Sequence, residues 1–169
     1  SYPATWYLNE GHVTGRLPRG AHPSISPSQL FRTRDSWCML MCQTPKFWDM
    51  FCEIVGAEFL REDPRFATIA DRRENLQELT AQIDAILETR STEEWMRILG
   101  GKVPFAPVLN IAEALDNPYV ESIGMLETVE HPKLSDGLRT LASPFKVNGV
   151  RVRSSRAPDL GEHNSELLK

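Results

Sequence analysis

Large apolar side chains are concentrated in one stretch of the sequence, and the segments on both sides of it are rich in proline, glycine and polar residues. Between Ser28 and Gly124, eight large apolar residues are dense enough to form one core. They are Trp37, Leu40, Trp48, Phe51, Leu79, Ile83, Leu87 and Trp95. A chain of 169 residues suits one ordinary domain rather than two. We therefore predict one folded domain between two arms.

The start of this domain has the pattern of a β-hairpin. Two short apolar runs, residues 28–33 and 37–42, flank the three-residue connector Arg34-Asp35-Ser36. Residues 103–109 contain two prolines, and we expect an edge strand there at most, since proline cannot donate to a strand ladder. A short antiparallel sheet is therefore expected.

Helices are predicted between these strands. Thr44 before Pro45 predicts a capped helix start, and Gly56 predicts its end. The pair Asp71 and Glu74 has the spacing of a capping box and predicts a helix that runs to about Arg90.

The later helices are shorter. Ser91 and Glu94 repeat the capping-box spacing before a helix that ends at Gly100-Gly101. Two short helical segments are expected at 111–115 and 119–123. The predicted class of the domain is therefore α+β, with helices flanking the sheet.

The two arms differ from this core in composition. Residues 1–27 include the breakers Gly11, Gly15, Pro18, Gly20 and Pro23, which predict an extended arm that begins at the N-terminus.

Beyond residue 124, we predict strand-like pieces at 125–129 and 138–142. The pairs His131-Pro132 and Asp136-Gly137 are predicted to form the turns between them. The polar end of the chain is expected to finish in a short piece of helix.

Composition excludes several classes of function. No apolar run approaches the roughly 20 residues of a membrane helix, and with 41% hydrophobic and 25% charged residues a soluble protein is expected. The net charge of -4 disfavours a nucleic-acid partner. The one local basic cluster, Arg151, Arg153 and Arg156, is interpreted as a solvated loop.

The N-terminal residues lack the features of a signal peptide and are interpreted as the interior of a longer protein. A cytoplasmic location is expected because reduced cysteines fit a cytosolic protein best. The three cysteines, Cys38, Cys42 and Cys52, lack CxxC spacing, and we expect them to be reduced and buried rather than bound to a metal.

Known catalytic motifs do not fit the sequence. The serines lack a GxSxG motif, the four histidines lack metal-ligand spacing, and the glycines form neither a dinucleotide nor a Walker pattern. Most acidic side chains occupy positions of helix caps or turns. From the residues alone, the chemistry stays open.

Three groups of segments resemble family III CoA-transferases, which include formyl-CoA transferase, carnitine CoA-transferase and α-methylacyl-CoA racemase. They are AHPSI at 21–25 with FRTRDSW at 31–37; DPRFAT at 63–68 with DRREN at 71–75, Trp95 and VPFAPV at 103–108; and APDLGEH at 157–163. Their order and spacing cover nearly the whole chain.

The resemblance implies the C-terminal portion of such a protein. Residues 1–27 would be the outgoing arm, 28–124 the small α+β domain, and 125–169 the returning arm with a truncated C-terminal helix. The large Rossmann-like domain would be absent. So would the nucleophilic aspartate of the family, and we therefore expect no catalytic residue in this chain and no activity of the chain by itself.

The resemblance also implies the substrates and partners. The whole protein would transfer CoA between an acyl-CoA and a carboxylic acid as a homodimer, without a metal. Arg16, Arg19 and Arg32 would meet CoA phosphates, since a guanidinium binds phosphate well. The alternative for these three is that they are ordinary surface arginines. Two other functions stay open: a non-catalytic dimerisation or interaction module, and a fragment of an acyl-CoA racemase.

Overall fold

The structure is a computed structural model that describes residues 2–168; Ser1 and Lys169, at the outer ends of the two predicted arms, lie outside the described residues. The chain divides into two compact units, residues 1–108 and residues 109–169. Both units combine short helices with small antiparallel sheets, in agreement with the predicted α+β class. The predicted division at residues 27 and 124 refers to the domains of a longer protein and stays a prediction.

In its described residues, 2–108, the first unit contains three strands and six α-helices. The strands are β1 (Ser28–Arg32), β2 (Trp37–Met41) and β3 (Phe105–Pro107), and the helices are α1 (Tyr2–Glu10), α2 (Pro45–Val55), α3 (Glu58–Glu62), α4 (Ile69–Glu74), α5 (Leu76–Leu87) and α6 (Thr92–Leu99). The sheet is antiparallel with β2 in the middle, and Phe31 lies opposite Cys38. The predicted hairpin and the predicted edge strand are both confirmed.

The core of this unit lies between the sheet and the helices. Alternate residues of β2 face inward, so that Cys38 and Leu40 are fully buried, as is Cys42 directly after the strand. Seven of the eight predicted core residues are buried there: Leu40, Trp48, Phe51, Leu79, Ile83, Leu87 and Trp95. Trp37 is the exception, because it starts β2 on the opposite face and is only partly buried.

Two predicted helix starts are confirmed by their caps. The Thr44 hydroxyl accepts a hydrogen bond from the Phe47 N–H, and α2 ends at Gly56, whose φ of 68° is the left-handed conformation that glycine adopts without strain. At α6, the Ser91 hydroxyl accepts from the Glu94 N–H at 3.2 Å while the Glu94 carboxylate accepts from the Ser91 N–H at 2.7 Å. This is the reciprocal capping box.

The predicted capping box of Asp71 and Glu74 is wrong. The capping box starts three residues earlier and is formed by the Thr68 hydroxyl and the Asp71 carboxylate. Asp71 therefore lies inside α4. The helix then ends at Asn75, whose side-chain amide donates to the Asp71 carbonyl at 2.9 Å, and α5 begins at Leu76. Two overlapping sequences of the capping type compete here, and the sequence pattern does not rank them.

The expected extended arm at the N-terminus is also partly wrong, because residues 2–10 form the helix α1. Pro3 is tolerated in a first helical turn, and Gly11 ends the helix with its N–H donating to the Tyr7 carbonyl at 2.9 Å. The helix breakers that indicated an arm begin only at Gly11. None of the residues of α1 is buried.

Residues 109–168 of the second unit form two hairpins and three short helices. The helices are α7 (Ile111–Leu115), α8 (Pro118–Ser122) and α9 (Asn164–Leu167), and the strands are β4 (Leu126–His131), β5 (Leu134–Leu141), β6 (Lys146–Val147) and β7 (Val150–Arg151). The predicted turn at Asp136-Gly137 is wrong, since both residues lie within β5. A β-bulge near Val129 accommodates Gly137, where a side chain would collide with the Val129 carbonyl at 2.8 Å.

Most large apolar side chains of the second unit are exposed. Val129 and Ala142 are its buried apolar residues among those described, whereas Phe145 is 76% exposed and Val150 is 70% exposed. Two-stranded sheets are marginally stable without a packed layer. The exposed apolar side chains of this unit are therefore expected to pack against another protein surface.

No helix in the described part of the chain has both the length and the apolar character needed to cross a membrane.

Candidate anion-binding site at Trp37

Two of the three arginines predicted to bind CoA meet at the turn end of the β1–β2 hairpin. Arg32 ends β1 and pairs with Trp37, the first residue of β2. The Arg32 guanidinium carbon lies 4.9 Å from the centre of the Trp37 ring, and that of Arg19 lies 5.3 Å from it. Both distances are those of cation–π contacts. Two positively charged side chains therefore lie over the partly buried Trp37 ring.

Arg19 is held in place by a carboxylate from α5. Its guanidinium donates to Asp84 Oδ2 at 2.6 Å, and the two side chains are 29% and 13% exposed. Arg19 lies in a single helical turn, Pro18–Gly20, with a φ of 55°, which is uncommon for a residue with a side chain. The charge of Arg19 is thus already matched within the protein.

The charge of Arg32 is not matched in this way. Its side chain is exposed, and no ion pair within residues 2–168 involves its guanidinium. Arg16 is exposed as well, and within residues 2–168 it makes no cation–π contact with the Trp37 ring. The structure therefore brings Arg19 and Arg32 together and does not show Arg16 in contact with them.

A cleft of about 540 Å³ opens beside this hairpin end, lined by residues 32–37 and Glu88. Arg34 in the cleft wall is paired with Glu94 at 2.9 Å. Glu88 adds a negative charge to the wall, so an anion is best accommodated at the Arg32 end. A cleft of this size lies within the range of small-molecule sites.

The three cysteines and Asp35 are poorly placed for covalent chemistry. Burial raises the pKa of Cys38, Cys42 and Cys52 to about 12 in each case, which keeps the thiols protonated at neutral pH. The Asp35 carboxylate accepts hydrogen bonds from the backbone and hydroxyl of Thr92, and the backbone hydrogen bond is the main cause that lowers its pKa. The buried position expected for the cysteines is confirmed.

Two histidines serve as local turn acceptors. His22 Nδ1 accepts from the N–H groups of Ser24 and Ile25, and His131 Nδ1 accepts from the Lys133 N–H in the β4–β5 turn. Among residues 2–168, no group of three or more histidine, cysteine, aspartate and glutamate side chains is placed to hold a metal ion.

Comparison with known proteins extends over nearly the whole chain. The sequence profile of CoA-transferase family III matches residues 1–164. The chain belongs to this family. The resemblance seen in the sequence motifs is thereby confirmed.

Individual relatives match at lower identity. The chain is 28% identical over 163 residues to an acetyl-CoA:oxalate CoA-transferase of Acetobacter aceti, covering 93% of this chain and 40% of the relative. It is 30% identical over 154 residues to a succinyl-CoA:mesaconate CoA-transferase of Haloarcula marismortui, and the match covers 88% of this chain and 37% of the relative. The chain thus spans about 40% of the length of these family members.

A solved structure shows the same fold. The crystal structure of a mutant of Rv3272 from Mycobacterium tuberculosis superimposes with a TM-score of 0.76 at 27% identity, over 84% of this chain and 39% of that one. The architecture of the chain is thus one that occurs in a longer protein.

Sequence reasoning missed two residues of this candidate site. Trp37 was assigned to the core because of its size, although its position at a strand start could have indicated an outer face. Asp84 was overlooked because it is 65 residues from Arg19 and lies among the polar residues of an amphipathic helix. No local sequence signal indicates that Asp84 pairs with Arg19.

Proposed function

We propose that this chain is the part of a CoA-transferase that forms an anion-binding edge of the CoA site. The whole protein would move CoA between an acyl-CoA and a carboxylic acid. Support comes from the family membership over residues 1–164 and from the relatives, which are named as CoA-transferases. The observation that carries the assignment of the site is the unmatched guanidinium of Arg32 over the Trp37 ring.

The chemistry of CoA suits this location. Its phosphate groups are anions that a guanidinium can bind with two parallel hydrogen bonds. The exposed Arg32 side chain is already ordered by the aromatic ring beneath it, so less side-chain entropy is lost on binding. In this proposal Arg32 is the main contact and Arg19 lies beside it over the same ring, whereas Arg16 is not assigned to the site.

The nucleophile is proposed to come from outside this chain. CoA transfer through an enzyme-bound intermediate needs an accessible nucleophilic group. The cysteines are buried and protonated, and Asp35 is occupied by Thr92. We therefore expect this chain to contribute binding and shape rather than the reacting carboxylate.

The exposed apolar side chains fit the same proposal. Tyr7 and Leu8 on α1, and Phe145 and Val147 in the second unit, are each more than half exposed. Apolar surface of this kind marks an interface. We assign it to contacts with the remainder of the protein and with the second subunit of a homodimer.

Calorimetry with CoA tests the site in the full-length protein. Arg32→Gln is expected to weaken CoA binding about tenfold or more, since a hydrogen bond between charged groups contributes about 1.5–3 kcal/mol. Arg97→Gln is the matched control, because Arg97 is exposed and paired only with Glu93 one helical turn away. Equal affinities of the two variants would refute the site.

The transfer activity needs a separate measurement. The full-length protein is incubated with an acyl-CoA and a panel of carboxylic acids, and new thioesters are identified by mass spectrometry. Formation of a new acyl-CoA is the expected result. Interconversion of stereoisomers of one acyl-CoA without transfer would indicate the racemase alternative, and CoA binding without either reaction would refute the enzymatic proposal.

A further inference from the structure

One carboxylate on α5 connects three separate parts of the first unit. Asp84 Oδ2 binds the Arg19 guanidinium at 2.6 Å, and Asp84 Oδ1 accepts a hydrogen bond from the backbone N–H of Arg32 at 2.9 Å. The Pro18–Gly20 turn, the end of β1 and the last turns of α5 therefore meet at this side chain. Its side chain is only 13% exposed, which strengthens its interaction with Arg19 relative to a surface pair.

The contact between β1 and α5 does not depend on Asp84 alone. One helical turn earlier, Thr80 Oγ1 accepts a hydrogen bond of 2.8 Å from the buried Gln29 side chain of β1. A neutral amide at position 84 has the same shape as the carboxylate and can still accept from the Arg32 N–H. Charge at this position can therefore be removed while the packing of β1 on α5 is kept.

The electrostatic consequence concerns Arg19. Its guanidinium lies over the same Trp37 ring as that of Arg32, so an anion bound at this ring would be close to both arginines. Arg19 donates to Asp84, however, and its charge is neutralised there. Of the two guanidinium groups over the ring, only that of Arg32 has no ion pair within residues 2–168 and is left for an approaching anion.

We infer that Asp84 is a positioning residue that competes with anionic ligands for Arg19 and thereby limits the affinity of the Trp37 site for CoA phosphates. This inference rests on the proposed function, because it takes the phosphates of CoA as the ligand. A residue that only supported the site would increase the affinity for CoA, whereas Asp84 is inferred to decrease it. Removal of its charge strengthens binding instead of weakening it.

Binding of CoA to full-length variants at low salt tests this directly. Asp84→Asn is expected to tighten CoA binding about threefold to tenfold, which corresponds to about 0.7–1.4 kcal/mol, since the released Arg19 guanidinium becomes available to the anion. The gain should shrink at high salt, where charges are screened. Asp84→Glu keeps the carboxylate and should bind CoA as the wild type does.

A double variant separates charge from structure. In Arg19→Gln/Asp84→Asn the released guanidinium is absent, so the gain of the single variant should be lost and the affinity should return to within about twofold of the wild type. Should Asp84→Asn fail to melt cooperatively, the double variant alone decides. Binding tenfold weaker than the wild type would then overturn the inference, because Arg19 would be a direct ligand in the wild-type protein.

The outcomes for the inference and for the proposed function can be told apart. If the wild type binds CoA and Asp84→Asn binds it equally or more weakly, only the role of Asp84 is refuted. If neither protein binds CoA while both fold, the proposed CoA site is refuted, and the inference fails with it.

Discussion

Asp35 Oδ1 accepts a hydrogen bond of 2.9 Å from the backbone N–H of Thr92. The same oxygen accepts from the Thr92 hydroxyl at 3.0 Å and from the Thr33 hydroxyl at 3.2 Å. The connector of the β1–β2 hairpin therefore caps the first turn of α6, where backbone N–H groups have no partner within the helix. This bond joins two elements that are 57 residues apart in the sequence.

The stability of the protein should depend on pH through Asp35. The hydrogen bonds to its carboxylate, led by that from the Thr92 backbone, lower the pKa of Asp35 below the ordinary 3.8. A lowered pKa in the folded state gives stability that is complete above the unfolded pKa and lost as the pH falls through the folded pKa. Asp35→Asn should therefore lower the melting temperature at pH 7 and make much less difference near pH 2.

Asp49→Asn is the control for this experiment, since Asp49 is an exposed residue of α2. Its melting temperature should stay close to that of the wild type across the same pH range. An equal loss for Asp35→Asn at pH 7 and at low pH would show that the charge of the carboxylate does not matter.

Trp48 should contribute strongly to the core through its size rather than its indole N–H. The residue is 2% exposed and stacks on Phe51 with ring centres 6.1 Å apart. Its indole nitrogen is buried without a hydrogen-bond partner. Trp48→Ala should cost roughly 3–5 kcal/mol in unfolding free energy, whereas Trp48→Phe should cost much less, because it removes an unsatisfied donor.

Chemical denaturation measures both variants of Trp48. Similar losses for phenylalanine and alanine would contradict this account, since they would mean that the indole nitrogen has an important partner.

Arg72 should be required for the packing of the segment before β1. It is 1% exposed, and its guanidinium donates to the Ser26 carbonyl and to the Phe66 carbonyl, each at 2.7 Å. Arg72→Ala leaves these buried carbonyls unsatisfied, at a cost of about 1–3 kcal/mol for each group. Arg72→Lys should lose less than Arg72→Ala, because its ammonium group can still donate to one of these carbonyls.

Arg73 provides the matched control for Arg72. It is the next residue of α4 and is exposed. Denaturation of Arg73→Ala and Arg73→Lys should show nearly unchanged stability. Equal stabilities of the Arg72 and Arg73 variants would rule out the role assigned to the buried guanidinium.

The three cysteines should be unreactive in the folded protein. Burial raises the pKa of Cys38, Cys42 and Cys52 to about 12, so almost no thiolate is present at pH 8. Iodoacetamide should label them slowly in buffer and rapidly in guanidinium chloride, as followed by intact mass. Fast labelling of one of them in buffer would place that thiol at an accessible site and reopen it as a candidate nucleophile.

The sequence predicted those features that depend on neighbouring residues. The cap at Thr44, the capping box at Ser91 and the β1–β2 hairpin are confirmed, because each is decided by residues within a few positions of one another. The capping box predicted at Asp71 and Glu74 is wrong, because the Thr68 and Asp71 pair three residues earlier has the same kind of local signal. The helix α1 was missed because the breakers that follow it dominated the interpretation of the whole segment.

What the sequence by itself determined is the family of the chain, its α+β class and most of the residues that form its core. Only the tertiary structure decided which of the predicted arginines meet, and that Trp37 faces them rather than the core. It also decided that Asp84 neutralises Arg19. The physical reason is that caps and turns act over a few residues, whereas charge pairing is set by packing that brings α5 against the end of β1.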